Sequence, residues 1–161
     1  MKRFLLFASL WTIISSCASQ VPENNGNKER LVYFSFDHHN SMSQCGEKYA
    51  VSMMEDGRVR VVIDEGFPEE KEFYLDDRSI FDELLVIVKS YKMDKYKESY
   101  SSRMEIFDGD NWSLNYQYDT KRSVRSGGYM AWPDNYREAR HAISDYFKKW
   151  RDYQTGVLEI D

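Results

Sequence analysis

Asp56-Gly57 stands between two runs rich in β-favouring residues, Tyr49 to Met54 and Arg58 to Ile63. An Asp-Gly pair in that setting supplies the positive-φ position that a tight antiparallel hairpin needs, so these two strands are expected to pair directly. Leu31 to Phe36 reads as a strand before them and Glu72 to Leu75 as one after them, with Asp37 to Glu47 as a polar loop. Ile80, Phe81, Leu84, Leu85, Val88 and Tyr91 then recur at three- and four-residue spacing, which predicts an amphipathic helix. Ser79 and Asp82 are spaced as a capping box at its start, and Val86 and Ile87 widen its apolar face. Strand texture returns in Met104 to Phe107, Trp112 to Tyr118 and Ser123 to Arg125, ending at a break over Ser126-Gly127-Gly128. A last helix is expected to open at Pro133, with Tyr136, Ala139, Ile143, Tyr146, Phe147 and Trp150 on its apolar side.

The order strands, helix, strands, helix predicts an α+β domain over residues 30–161, an antiparallel sheet of hairpins with two helices packed on one face. The two halves echo each other weakly, each with Asp-Gly followed by strands and a helix, which suggests an internal duplication. A chain of 161 residues with 42% apolar and 16% aromatic side chains suits one folded domain with its own core.

The N-terminus carries a different signal. Met1-Lys2-Arg3 is a short positive region, and Phe4 to Ile14 is an apolar run interrupted only by Ser9 and Thr12. A helical span needs about 20 apolar residues, so this run has the length of a secretory signal core. Ile14-Ser15-Ser16-Cys17 follows, and these residues resemble the lipobox of bacterial lipoproteins. The resemblance implies that residues 1–16 are a signal peptide, that Cys17 becomes lipidated with diacylglycerol and an acyl chain such as palmitate, and that the protein sits on a membrane without crossing it. Ala18, in place of an Asp after the cysteine, implies the outer membrane, with the domain facing the periplasm. Residues 18–29 have almost no apolar content and read as a flexible tether, so residues 17–29 form anchor and linker.

The formal charge is −5, and loss of Lys2 and Arg3 with the signal peptide makes it more negative. An acidic surface repels phosphate backbones, so nucleic acid is not an expected partner. The expected partners are the membrane, through the lipid, and an envelope protein or glycan.

With Cys17 joined to lipid, Cys45 has no cysteine to pair with and is expected to be buried and inert. Asp37, His38, His39 and Cys45 together would suit a small periplasmic hydrolase or thiol enzyme, the competing reading. Neighbouring residues on a strand point to opposite faces, so His38 and His39 are poorly placed to share an ion, and no metal or other cofactor is expected. Asp108 and Asp110 read as turn formers.

Asp108-Gly109-Asp110-Asn111-Trp112 through Gly127-Gly128-Tyr129-Met130-Ala131-Trp132-Pro133 resembles a pattern in an uncharacterised secreted or lipid-anchored bacterial family, and the resemblance carries no activity. Trp112, Tyr129, Trp132 and Tyr136 are the candidate ligand-binding residues, as an aromatic platform for a sugar ring or peptide. The ordinary alternative has Trp112 and Trp132 plugging the core where sheet meets helix. No phosphate loop, serine elbow or Cys-x-x-Cys pair is present, so the reading is a non-catalytic binding module with no catalytic residues assigned.

Overall fold

A computed structural model of the chain describes residues 29–41, 46–66, 70–102 and 108–154. The elements run β1 (Leu31–Asn40), β2 (Gly46–Met53), β3 (Val59–Asp64), β4 (Lys71–Leu75), α1 (Ser79–Ser90), a 3-10 turn over Met93–Lys95, β5 (Ser99–Ser101), β6 (Asp110–Tyr118), β7 (Ser123–Tyr129) and α2 (Tyr136–Gln154). The molecule is α+β, with one seven-stranded sheet in the order β4-β3-β2-β1-β6-β7-β5.

Asp56-Gly57 makes the β2–β3 turn. Gly57 takes φ 87°, Met54 N–H donates to Arg58 O at 2.8 Å, and Asp56 Oδ1 accepts from Arg58 N–H at 3.1 Å. The sheet is mostly antiparallel but mixed, which corrects the expectation of hairpins throughout. Ser99, Tyr100 and Ser101 of β5 pair in parallel with Gly127, Gly128 and Tyr129 of β7. β6 is the antiparallel partner of β1 and β7 returns antiparallel to β6, so β7 fills the place between β5 and β6.

β1 continues to Asn40, through residues expected in a loop. Both its edges are paired: His38 lies opposite Glu47 of β2 and Trp112 of β6, and His39 opposite Gly46 and Asn111. Pairing on two sides outweighs the low strand preference of Asp37 and His39, and Asn40 is held by β6 alone among the described residues. A register shift between Leu31 and Tyr33 lets Leu31, Phe34 and Phe36 all be buried despite the odd spacing.

The expected break at Ser126-Gly127-Gly128 does not occur either, because these residues complete β7. A Cβ at Gly128 would lie 2.4 Å from Ala131 O and 2.7 Å from Trp112 Nε1, so glycine here makes room for the indole. The strand expected over Met104 to Phe107, Cys17, Cys45 and the C-terminal tail lie outside the described residues.

Both helices feed one buried cluster with the sheet. α1 contributes Ile80, Phe81, Leu84 and Val88, while Val86 is 64% exposed, so the apolar face is narrower than expected. Asp77, not a capping box, holds its start: Asp77 Oδ1 accepts from Ser79 N–H at 3.0 Å and Oδ2 from the Ser79 hydroxyl at 2.5 Å. α2 begins at Tyr136, three residues after Pro133, because Asn135 is engaged outside the helix: its Nδ2 donates to Tyr91 O at 2.6 Å and its Oδ1 accepts from Tyr96 Oη at 3.0 Å. Tyr136, Ala139, Ile143 and Phe147 are buried on the sheet, and Phe147 stacks on Tyr49 at 4.6 Å between ring centroids.

Candidate functional site

A cleft of about 340 Å³ opens at one end of the sheet, beneath α2. His38 and Asn40 from the end of β1, Gly46 and Glu47 from the start of β2, Asp110 from the start of β6, Glu65 just after β3, and Arg140 of α2 line it. Strand pairing brings these residues together, since Asn40 sits opposite Asp110 and His38 opposite Glu47.

His38 belongs to the packed side of β1, and its side chain is 9% exposed. Its Nδ1 lies 2.7 Å from Tyr136 Oη. Burial pushes the Tyr136 hydroxyl well above its ordinary value, so the phenol keeps its proton and can donate a hydrogen bond to Nδ1. In that arrangement the hydrogen of the neutral imidazole is on Nε2, which faces Asp110 Oδ2 across 4.0 Å, too far for a direct hydrogen bond. Burial, and then the positive charge of Arg140, lower the His38 pKa, so the ring is neutral at neutral pH.

A polar track continues along α2. Arg140 Nε donates to Glu47 Oε1, and Arg151 Nη1 to Glu65 Oε2 at 2.6 Å. Between them the Tyr49 hydroxyl lies 3.1 Å from Glu47 Oε2, 3.1 Å from Glu65 Oε1 and 3.2 Å from Ser144 Oγ. Its single hydrogen serves one carboxylate at a time while Ser144 can donate to the phenol oxygen. Glu47 and Glu65 are thus each matched by an arginine. Among the described residues the Asp110 carboxylate receives the neutral amide of Asn40, Nδ2 to Oδ1 at 2.8 Å, and faces the neutral His38.

The four aromatic candidates divide. Trp112 is 3% exposed, donates Nε1–H to Ala131 O at 2.8 Å, and packs 4.8 Å from Tyr136 and 5.7 Å from Tyr100, so it is a core plug. Tyr136 is buried and links that plug to His38. Trp132, at 37% exposed, presents its indole beside Tyr136 at 6.4 Å. Tyr129 pairs with Asn111, one residue from Trp112 on the strand, and so stands on the opposite sheet face from the other three.

Asp37, His38 and His39 of the competing hydrolase reading are also separated. Asp37 Oδ1 and His39 Nδ1 pair at 2.7 Å on the exposed face, while His38 turns into the packed side. Asp110, read from sequence as a turn former, is the first residue of β6 and a wall of the cleft. Among the described residues no group of three or more His, Cys, Asp or Glu side chains could hold a metal ion.

Sequence reasoning missed Asn40, Glu47, Glu65 and Arg140. One signal was available: Tyr136, Arg140 and Ser144 recur every fourth residue, a polar stripe beside the apolar one formed by Ala139, Ile143 and Phe147. No protein-family model matches the chain, and no curated protein is detectably similar to it.

Proposed function

We propose that this chain is a lipid-anchored cell-envelope protein, attached through Cys17 to the outer membrane and facing the periplasm, whose folded domain is a non-catalytic binding module. The anchor rests on the lipobox-like residues Ile14 to Cys17. The binding role rests on the cleft, where ion pairs along α2 hold Glu47 and Glu65 in place and leave His38 and Asp110 turned toward the opening. Polar groups held by neighbours at the mouth of a concave site are the usual means of orienting a ligand. We also read the repeated strands-then-helix order as a weak internal duplication, supported by an Asp-Gly pair followed by strands and a helix in each half.

Cell fractionation tests the anchor: Cys17→Ser is expected to leave the membrane fraction or to stay unprocessed, and membrane attachment at the processed mass would overturn it. Retention of isolated envelope fractions tests the binding role. Wild-type protein is expected to retain a component, protein or wall glycan, that Asp110→Arg loses. Equal retention by both would remove the cleft from the function.

A further inference from the structure

We infer that the ligand of the cleft is a neutral saccharide, one hydroxyl of which bridges His38 Nε2 and Asp110 Oδ2. This rests on the binding-module reading and names the class of ligand.

Hydrogen-bond supply and demand come first. Tyr136 Oη occupies His38 Nδ1, and with Tyr136 as the donor the imidazole offers the cleft a single N–H donor at Nε2. Asn40 Nδ2 occupies Asp110 Oδ1 and leaves Oδ2 as an acceptor on the cleft side. The two free positions are 4.0 Å apart. An oxygen at an ordinary hydrogen-bond distance of about 2.8 Å from each fits between them, and it must accept from nitrogen while donating to carboxylate. A hydroxyl does both. An ammonium group cannot accept, and a carboxylate or phosphate oxygen has no hydrogen to donate to Asp110.

Charge gives the same answer independently. Glu47 and Glu65 are matched by Arg140 and Arg151, so the carboxylate without a cationic partner among the described residues is that of Asp110. It repels an anionic ligand across short distance in a partly buried site. Neither arginine is available to compensate, because each is held by its own glutamate.

Shape supplies the third argument. A sugar ring has polar edges and an apolar C–H face, and it is held best where hydroxyl-reading groups adjoin an aromatic plane. Trp132, the exposed indole among the described residues, lies next to Tyr136, and Tyr136 is hydrogen-bonded to His38. Trp132 does not itself line the cleft; Tyr136 links it to the hydroxyl-reading pair, 6.4 Å from the indole and 6.0 Å from the His38 ring between centroids.

The test uses the lipidated full chain in a detergent without a sugar headgroup, with histidine side chains labelled by ¹⁵N. Maltotriose and the N-acetylglucosamine trimer are the neutral probes, which separate a plain glucan from an N-acetylated one, and the galacturonic acid trimer is the anionic probe. The expected result has four parts. The free protein shows His38 with hydrogen on Nε2. At least one neutral trimer binds saturably and shifts that signal. The anionic trimer binds about tenfold more weakly or worse. Asp110→Ala and Trp132→Ala each weaken binding by about tenfold, a change of roughly 1.4 kcal/mol. Unchanged melting temperatures of both variants guard against misfolding as the cause, since both side chains are about one-third exposed. Hydrogen on Nδ1, tighter binding of the anionic trimer, or no saturable binding of either neutral trimer would overturn the inference. If envelope retention still depends on Asp110 while both neutral trimers fail, the saccharide assignment falls and the binding module stands; if retention is also independent of Asp110, both fall.

Discussion

α1 and α2 close the same core in different ways. The side chains α1 buries are apolar, Ile80, Phe81, Leu84 and Val88, and its charged residues Asp82, Glu83 and Lys89 are exposed. α2 buries Ala139, Ile143 and Phe147 but flanks them with Arg140, Ser144 and Arg151, all of which reach polar groups on β2 or just after β3. Where α1 meets the core, stability alone accounts for the residues present. Along α2, carboxylates and a histidine have been brought to the margin of the core and held there, at a desolvation cost that packing does not require. That difference is what marks the end of the sheet under α2 as the site.

Truncating the apolar contacts should affect both helices alike. Phe147→Ala removes the ring stacked on Tyr49 and is expected to cost about 3–5 kcal/mol, and Leu84→Ala about 2–5 kcal/mol, in denaturant unfolding. A loss below 1 kcal/mol at Phe147 would mean that α2 is not seated as described.

The polar seam should separate the helices. Arg140→Met keeps the length of the side chain but leaves Glu47, 13% exposed at its side chain, without its cation, and is expected to cost about 1–3 kcal/mol. The exposed pair of Lys89 and Asp94, at the end of α1, is the comparison: Lys89→Met should cost no more than about 1 kcal/mol. Equal costs at the two positions would erase the contrast.

His38 should make stability depend on pH. Its folded pKa lies below its ordinary value of 6.5, chiefly through burial, so the unfolded chain binds more protons in that window. Stability contributed by the neutral ring is therefore complete above about pH 6.5 and is lost as pH falls toward the folded value. Arg140 and His39 favour this lowering, and Asp110 and Glu47 oppose it. Melting temperatures followed from about pH 7 to about pH 5, above the range where carboxylates titrate, should fall in the wild type and fall less in His38→Gln. Parallel curves would show that burial of the ring carries no linkage.

The smallest effect on stability is expected at Trp132. With 37% of its surface exposed, Trp132→Ala should change unfolding free energy by no more than about 1 kcal/mol while weakening ligand binding. A loss of several kcal/mol would instead make it a second core plug beside Trp112.

Local signals in the chain were legible where neighbouring residues decide the outcome. The Asp56-Gly57 turn and the stripe of α1 are of this kind, because a positive-φ glycine and a 3.6-residue period act over a few residues. Asp37 to Asn40 and Ser126 to Gly128 misled for a common reason: their composition disfavours strand, but Asp37 to His39 are paired on two sides in the sheet by β2 and β6, and Gly127 and Gly128 by β6 and β5. The glycine at 128 looked like a chain breaker, and only the indole of Trp112 beside it shows why a side chain is absent there. Of the candidate residues, Trp132 and Tyr136 were recognisable as aromatic, but which one would be buried was not.

By itself, then, the sequence determined an α+β composition of strands and two amphipathic helices, the turn at Gly57 and the lipobox-like run ending at Cys17. Tertiary structure decided the cleft. Its residues come from positions 38, 40, 46, 47, 65, 110 and 140, and the hydrogen bond between His38 and Tyr136 joins residues 98 apart in the chain. A histidine's tautomer, its loss of charge and the carboxylate it faces depend on burial and on distances of a few ångströms, and those are properties of packed strands and helices that no local pattern of residues encodes.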